Sequence, residues 1–445
     1  MKRRPITNRQ SINLFKIMSN NHLTKKQVIK DFKEHVSSGK AATYKKYGME
    51  FIIGERHGAY ITDISGKKTL INCHCNGGVF NLGHRNPQVI ETLIKATERF
   101  DIGNHHFISS QRAKLGKKLA ELMPGDLNYT VFGVGGGEAI DLAIKLARAY
   151  TKRQKIVSLK GGYHGHTGLA LATGDEQYRQ PFGPNPPGFV QIPFGDIEAA
   201  KAQINEDTAA FIMETVPATL GIAIPSKEYM KAIRELCTQS NTLMIIDEVQ
   251  TGLGRTGKLW AFEHYGILPD IVVLGKGLSG GIYPITATVF RENLEQFFYT
   301  HPFIHVSTFG GSEIGAEVAM KVLEISSDAS FLRHVNEIAQ YLQQGFEKLK
   351  NKHPKYIAQF RQLGLMAGIE FKNEKYGLLF TKSAYESGLF SLYSNNDMRI
   401  CQLLPPLIIT KKQADEILEK IDKAVSKLKY YSLAFSVKEF IEKLF

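Results

Sequence analysis

Cysteine is scarce: four residues, at 73, 75, 237 and 401, in a chain of 445. So few thiols, so widely spread, cannot form a disulfide framework, which excludes the small stapled secreted scaffolds and predicts a reduced, cytoplasmic protein. Cys73-His74-Cys75 places two thiols and an imidazole together. No second pair completes a tetrahedral site, so small residues in a strand are expected there and no metal. Long apolar runs are missing too. None reaches the roughly 18 residues of a membrane span, and the amino terminus lacks the apolar stretch of a signal peptide. There is no internal repeat and no low-complexity tract. Charge of one sign is not concentrated, although the formal net charge is +13. Apart from Lys2, Arg3 and Arg4 and pairs such as Lys117 and Lys118 the excess is scattered. That is no nucleic-acid footprint; a basic protein of this size is more often merely soluble and basic, and a bound phosphate cofactor or anionic substrate would also benefit.

What is present is the composition of a globular protein, 43% hydrophobic and 22% charged, and long enough for two or more lobes. Residues 1–45 are polar and basic, with a helical stretch around Gln27–His35. Residues 59–72 read as two short strands around a Ser-Gly-Lys-Lys turn. From about 110 to 290, helical stretches alternate with the apolar runs Lys155–Leu159, Ala210–Met213, Leu243–Ile246 and Ile271–Leu274. Runs of four or five apolar residues separated by helices predict parallel strands buried on both faces, an α/β layer architecture. Beyond about 320 the pattern gives helices over Glu317–Glu324, Phe331–Lys350 and Lys411–Leu428, and a strand at Gly368–Phe371. That is a smaller α+β lobe. Val437, Phe440, Ile441 and Leu444 recur at helical spacing, in a tail expected to pack on the body or on a partner.

Three segments carry chemistry. In Phe132-Gly-Val-Gly-Gly-Gly-Glu138 a glycine turn runs straight into a helix with Ile140, Ala143, Ile144 and Ala147 on one face. Free N–H groups and the macrodipole at such a start make an anion site. It is not the dinucleotide fingerprint, since no Gly-x-Gly-x-x-Gly closes a short strand with an acid about 20 positions on. In Leu243-Met-Ile-Ile-Asp247-Glu248-Val-Gln250 an apolar strand delivers adjacent acids at its carboxyl end, where open sheets bind ligands. One could hold a cation; the plainer reading is a solvated pair capping the next turn. In Asp270-Ile-Val-Val-Leu-Gly275-Lys276-Gly277 a second strand ends in a lysine between glycines. Such a lysine is usually just exposed, but in a cleft desolvation makes its amine nucleophilic toward carbonyls. Asp247 and Lys276 stand about one strand–helix–strand crossover apart, so both can reach one sheet edge.

Together these segments resemble the class III aminotransferases of pyridoxal 5′-phosphate (PLP) fold type I, from about Gly58 to about Val425. Asn81-Leu82-Gly83-His84, Gly162-Tyr163-His164-Gly165, Gln250-Thr-Gly-Leu-Gly-Arg-Thr-Gly, Ser307-Thr308-Phe309-Gly310-Gly311 and Leu404-Pro405-Pro406-Leu407 resemble further family segments. The resemblance implies a large domain with a mostly parallel sheet flanked by helices, residues 76–320. It implies a smaller α+β domain from both chain ends, residues 321–445 with help from 1–75. Lys276 would form a Schiff base with the cofactor and then shuttle a proton. Asp247 would pair with the pyridine nitrogen, Gly136 and Gly137 would bind the phosphate, Tyr163 would stack on the ring, and Gln250 would meet its phenolic oxygen. Glu214 falls where the family has a pocket glutamate, though the usual proline after it is Thr215. Thr308 would reach the neighbouring subunit's phosphate, which implies a homodimer. His164 and His166, spaced like metal ligands on a strand, are read as supporting groups beside Tyr163.

The chain also departs from the family. Members that use glutamate carry an arginine three residues before the diproline, where this chain has Gln402, and a covering glutamate where it has Thr219. An amide cannot reproduce a bidentate guanidinium–carboxylate contact, so the usual glutamate clamp is not expected. Arg399 is a candidate substitute, and Phe80, Thr219, Arg399 and Gln402 are the candidate substrate-facing residues. The leading function is transfer of an amino group from an amine or amino acid to a keto or aldehyde acceptor. A PLP aminomutase or racemase needs the same lysine and aspartate and stays open. A phosphate- or nucleotide-binding protein using Gly135–Gly137 without imine chemistry is the reading from another class.

Overall fold

Lys155–Leu159, Thr208–Glu214, Leu243–Asp247 and Ile271–Leu274 are neighbouring parallel strands. Their composition explains why. Side chains alternate across a strand, and both faces of this sheet are covered. Leu243 and Ile245 pack on one face with Ile140, Ala143 and Ile144 of helix Gly136–Thr151, while Met244 and Ile246 join the core on the other. Ile271 and Val273 share the first face, Val272 and Leu274 the second. Burying each such side chain contributes about 1.5–3 kcal/mol, so the runs must be apolar throughout.

In the computed structural model, residues 23–444 are described, with side chains from 23 to 431. Lys2, Arg3 and Arg4, and the side chains of Val437, Phe440, Ile441 and Leu444, lie outside that range. The central sheet runs Tyr129–Gly133, Thr286–Phe290, Ile271–Leu274, Leu243–Asp247, Thr208–Glu214, Lys155–Leu159, Phe189–Ile192. Only Thr286–Phe290 is antiparallel to its neighbours. Three of these strands lack an apolar signature. Tyr129–Gly133 and Phe189–Ile192 are half-buried edges. Thr286–Phe290 buries two threonines, and Thr288 Oγ1 donates to Ala139 O at 3.1 Å.

The crossover between Asp247 and Ile271 differs from expectation. It contains turns and one short 3₁₀ turn, Ala261–His264, in place of a helix. Leu253, Gly254 and Gly257 adopt left-handed φ values of 59°, 88° and 89°. Arg255 between them is buried, donating to Asn81 Oδ1 and Pro405 O at 2.6 Å and Leu365 O at 3.0 Å. A helix could satisfy neither demand. Cys73-His74-Cys75 is likewise no strand. Asn72 Oδ1 accepts from His74 N and Cys75 N at 3.1 and 2.9 Å, ending the strand Thr69–Asn72 in a tight turn with Cys75 and Asn76 left-handed.

After the sheet, Ser312 and Asp328 cap helices Glu313–Ser326 and Ala329–Lys352. A second sheet pairs Ile357–Leu363, Met366–Phe371, Asp397–Leu403 and Leu392–Ser394 in that order, all antiparallel. Its own core gathers Ile357, Ile369, Phe371, Leu403, Ile417 and Leu428 with Ala59, Ile71 and Cys73. The last helix spans Lys411–Leu444.

By internal contacts the chain divides into residues 1–55 with 61–69, and 56–60 with 70–445. In the first unit Thr24 and Ser37 cap helices Lys25–His35 and Ser38–Lys46, and Asp63 accepts from Lys25 Nζ and Ile52 N. Every candidate site residue belongs to the second. Among the described residues, no helix is long and apolar enough to cross a membrane.

Candidate active site

Strand register assembles the site. Glu214 pairs with Asp247, and Asp247 with Val273, so three strands end side by side. By alternation Glu214 follows Ala210 and Ile212, and Asp247 follows Leu243 and Ile245, onto the face covered by helix Gly136–Thr151. Glu248, one residue on, must turn the other way. Its carboxylate accepts from Thr251 Oγ1 at 2.9 Å, Ala261 N at 3.0 Å, Phe262 N at 3.1 Å and Thr215 Oγ1. The two acids are therefore not a solvated pair. Asp247 faces a cavity and Glu248 knits the fold, with Thr215 serving Glu248.

Lys276 lies three residues past Val273, at φ 38°, opening a short 3₁₀ turn. A left-handed conformation costs a non-glycine residue about 1–2 kcal/mol, and the turn holds this lysine in it. Its Nζ donates to Gln250 Oε1 at 3.2 Å. Burial lowers the Lys276 pKa, opposed by the Asp247 and Glu214 carboxylates.

A cavity of about 170 Å³ is lined by Gly136, Gly137, Tyr163, His164, Gly165, Glu214, Asp247, Val249, Gln250 and Lys276. Asp247 is fixed from two sides. His164 Nδ1 lies 2.8 Å from Oδ2, and Val249 N donates to Oδ1 at 2.9 Å. Glu214 Oε1 accepts from Tyr163 N at 3.0 Å. Burial pushes Glu214 up to about 7, opposed by His164 and reinforced by Asp247. His166 lies against the Tyr163 ring, centroids 5.3 Å apart. Among the described residues no cluster of histidine, cysteine and acids could hold a metal ion.

A second cavity of about 410 Å³ shares Tyr163, Gln250 and Lys276 with the first. Of the candidate substrate residues it brings in Thr219 and Gln402. Arg399 lies elsewhere: it is three residues from Gln402 on one strand, an odd number, so it points to the opposite face. There it donates to Asp397 at 2.7 and 2.9 Å and lies 3.6 Å from Glu370. Phe80 packs on His84 with ring centroids 4.0 Å apart and lines neither cavity. Thr308 is exposed and lines neither. Among the lining residues that sequence reasoning missed are His74, Leu392, Tyr393 and Asn395. His74 follows the end of its strand closely, a usable signal; the other three carry none.

The residues fit PLP. The glycine loop presents backbone alone: a Cβ on Gly137 would lie 2.6 Å from Thr167 Oγ1, and one on Gly165 2.8 Å from Gly137 Cα. Unpaired N–H groups at a helix start suit a phosphate. A carboxylate held by two donors suits a protonated ring nitrogen, and a buried amine suits an aldehyde.

The class III aminotransferase family model matches residues 42–425. An uncharacterized aminotransferase of Archaeoglobus fulgidus is 54% identical over 89% of this chain and 93% of its own. The putrescine aminotransferase of Pectobacterium atrosepticum is 34% identical over 90% and 89%. In structure, the ornithine aminotransferase of Toxoplasma gondii matches with a TM-score of 0.85 at 25% identity, over 96% of this chain and all of the other. All three are aminotransferases, none an aminomutase or racemase. The chain belongs to the class III aminotransferases and is a PLP-dependent enzyme of fold type I.

Proposed function

We propose that the enzyme moves an amino group from an amine or amino acid to a keto or aldehyde acceptor, with Lys276 as attachment point and proton carrier. The observation that carries this reading is the convergence of Glu214, Asp247 and Lys276, from three adjacent strand ends, on one cavity beside the Gly136–Gly137 helix start. When bound, PLP supplies an electron sink for negative charge on the substrate carbon and a place to hold the amino group. Lys276 Nζ, its pKa lowered by burial, is the base and acid of the proton transfer, and Gln250 orients it. Asp247 keeps a positive ring nitrogen paired, and His164 and Val249 N fix the carboxylate. Gly136 and Gly137 bind phosphate. Tyr163 supplies a flat wall, held in place by Glu214.

The same proposal includes a homodimer in the cytoplasm. Thr308 is exposed and sits in sequence among the exposed apolar residues Phe303, Ile304 and Phe309, as suits a covered interface and a hydroxyl offered to the partner's phosphate site. All four cysteines are buried free thiols, which suits a reducing compartment. The division at 76–320 and 321–445 is supported by the separate cores, with Ala59, Ile71 and Cys73 joining the second. Gln402 and Thr219 support a site that does not handle glutamate through a cationic clamp.

Single-turnover mixing of the yellow holoenzyme with a panel of amines and amino acids tests this. Several donors should discharge the visible band, and glutamate should be slower than the best of them. If no donor discharges it, the transferase reading is wrong; if glutamate is as fast as any, the clamp reading is wrong.

A further inference from the structure

The hairpin that joins Leu392–Ser394 to Asp397–Leu403 turns at Asn395 and Asn396. Asn395 lines the larger cavity, whereas Asn396 is not among its lining residues. Asn396 is tied instead to three stretches that follow strands of the central sheet. Its Nδ2 donates to Gly161 O at 2.9 Å, and its backbone N donates to Thr219 O at 3.0 Å. Its Oδ1 accepts from Tyr178 Oη at 3.1 Å and from Gln177 Nε2 at 3.3 Å. Gly161 O can only accept, so it fixes which end of the amide is nitrogen. These stretches bound the site. Gly161, two residues before Tyr163, adopts φ 79°, and a Cβ there would lie 2.6 Å from Leu220 Cδ1, so the two loops are pressed together. Thr219 Oγ1 donates to the same Gly161 O at 2.8 Å. Tyr178 lies against His166 with ring centroids 6.0 Å apart, and His166 in turn against Tyr163. Tyr163, His166 and Thr219 all line the cavity.

We infer that Asn396 is a positioning residue for substrate binding: it latches the hairpin tip to Gly161, Tyr178 and Thr219 and so holds the cavity wall in the shape that takes the amino donor. The inference rests on the aminotransferase reading. The position requires an amide, which donates at one end and accepts at the other. Alanine does neither. Aspartate would still accept from Tyr178 and Gln177, but would set a carboxylate oxygen against Gly161 O. Without the latch the wall holds its binding shape only part of the time, and apparent affinity falls by that fraction. Asp247 and Lys276 are fixed by hydrogen bonds of their own, so cofactor binding and the saturated rate are spared. Ser394 Oγ and Gln402 Nε2 reach Ala218 O at 2.9 and 3.2 Å, a second tie that keeps the hairpin in place when Asn396 is changed.

The test follows discharge of the visible band in wild-type and Asn396→Ala holoenzyme against the concentration of whichever donor in the panel discharges it fastest. Asn396→Ala should raise the half-saturating concentration roughly tenfold, the worth of one net hydrogen bond, with the saturated rate changed less than about threefold. PLP titration should be unchanged. Asn396→Asp should do no better than alanine. Tyr178→Phe should give a smaller rise and add nothing on top of Asn396→Ala, because it acts through the same amide. By hydrogen-exchange mass spectrometry, Asn396→Ala should speed exchange in peptides covering residues 158–163 and 217–223. An unchanged half-saturating concentration overturns the inference even if Tm falls, and so does a loss of saturated rate as large as the loss of affinity. If Asn396→Ala does not fold, Tyr178→Phe decides by the same measure. If no donor discharges the wild-type band, the transferase reading fails, and exchange over those two peptides decides whether the latch exists.

Discussion

At one end of the cavity Gly136, Gly137, Asp247 and Lys276 hang from a helix start and strand ends of a single sheet; at the other, His74, Thr219, Tyr393 and Gln402 arrive from four separate stretches. The first end holds carboxylates and a buried amine, each fixed by register and by named hydrogen bonds. The second has no lysine or arginine other than the shared Lys276, and its Thr219 and Gln402 side chains are oriented by the backbone carbonyls of Gly161 and Ala218. The difference teaches a division of labour. Charge is concentrated where bond-making is proposed, and the wall proposed to face the rest of the substrate offers directed hydrogen bonds in its place. Charged groups there would be hard to tune, whereas a carbonyl such as Ala218 O sets which atom of Gln402 shows.

If that contrast is real, substitutions at the charged end should cost far more than those at the neutral wall. Asp247→Asn should lower the rate of donor discharge by about 10²–10³-fold, the usual worth of one preorganised electrostatic group, with folding intact by circular dichroism. A loss below tenfold would break the comparison. Gly137→Ala should come next. Its Cβ would press on Thr167 Oγ1 at 2.6 Å, and overpacking of about 1–3 kcal/mol should weaken PLP affinity roughly ten- to a hundredfold, read by cofactor titration.

The smallest effect concerns pH. Glu214 is raised to about 7 from an ordinary 4.5. A carboxyl with a raised folded value binds its proton more tightly when folded. That contribution is whole below pH 4.5 and is lost as pH rises to about 7. Glu214→Gln does not titrate, so the fall in Tm across that window should shrink. Glu248, also pushed up to about 7, should leave part of the slope. An unchanged slope would place the Glu214 proton elsewhere.

The same contrast governs what could be read from the sequence. The four buried parallel strands are legible because covering both faces demands unbroken apolar runs. Asp247, Lys276 and Gly136–Gly137 are legible because each sits at the end of a contiguous element. Half-buried edges such as Tyr129–Gly133 give no such run. The crossover from Asp247 to Ile271 keeps helical spacing only by length; its left-handed Leu253 and buried Arg255 forbid the helix. At the neutral wall Thr219 and Gln402 are legible only through the resemblance, Gln402 by its distance from the diproline, and the rest of the wall carries no motif. Tyr393 and Asn395 are placed by a hairpin of the second sheet, and Arg399 is turned from the cavity by strand parity alone. The alternation that separates Asp247 from Glu248 was available in the sequence once the strand's two faces were known to be different.

Where Lys276 stands in the chemistry can be measured directly. Borohydride reduction of the holoenzyme, followed by digestion and mass mapping, should place one pyridoxyl group per chain on Lys276, and Lys276→Ala should bind PLP without being labelled. A pyridoxyl group on another lysine, or none at all, would contradict the account.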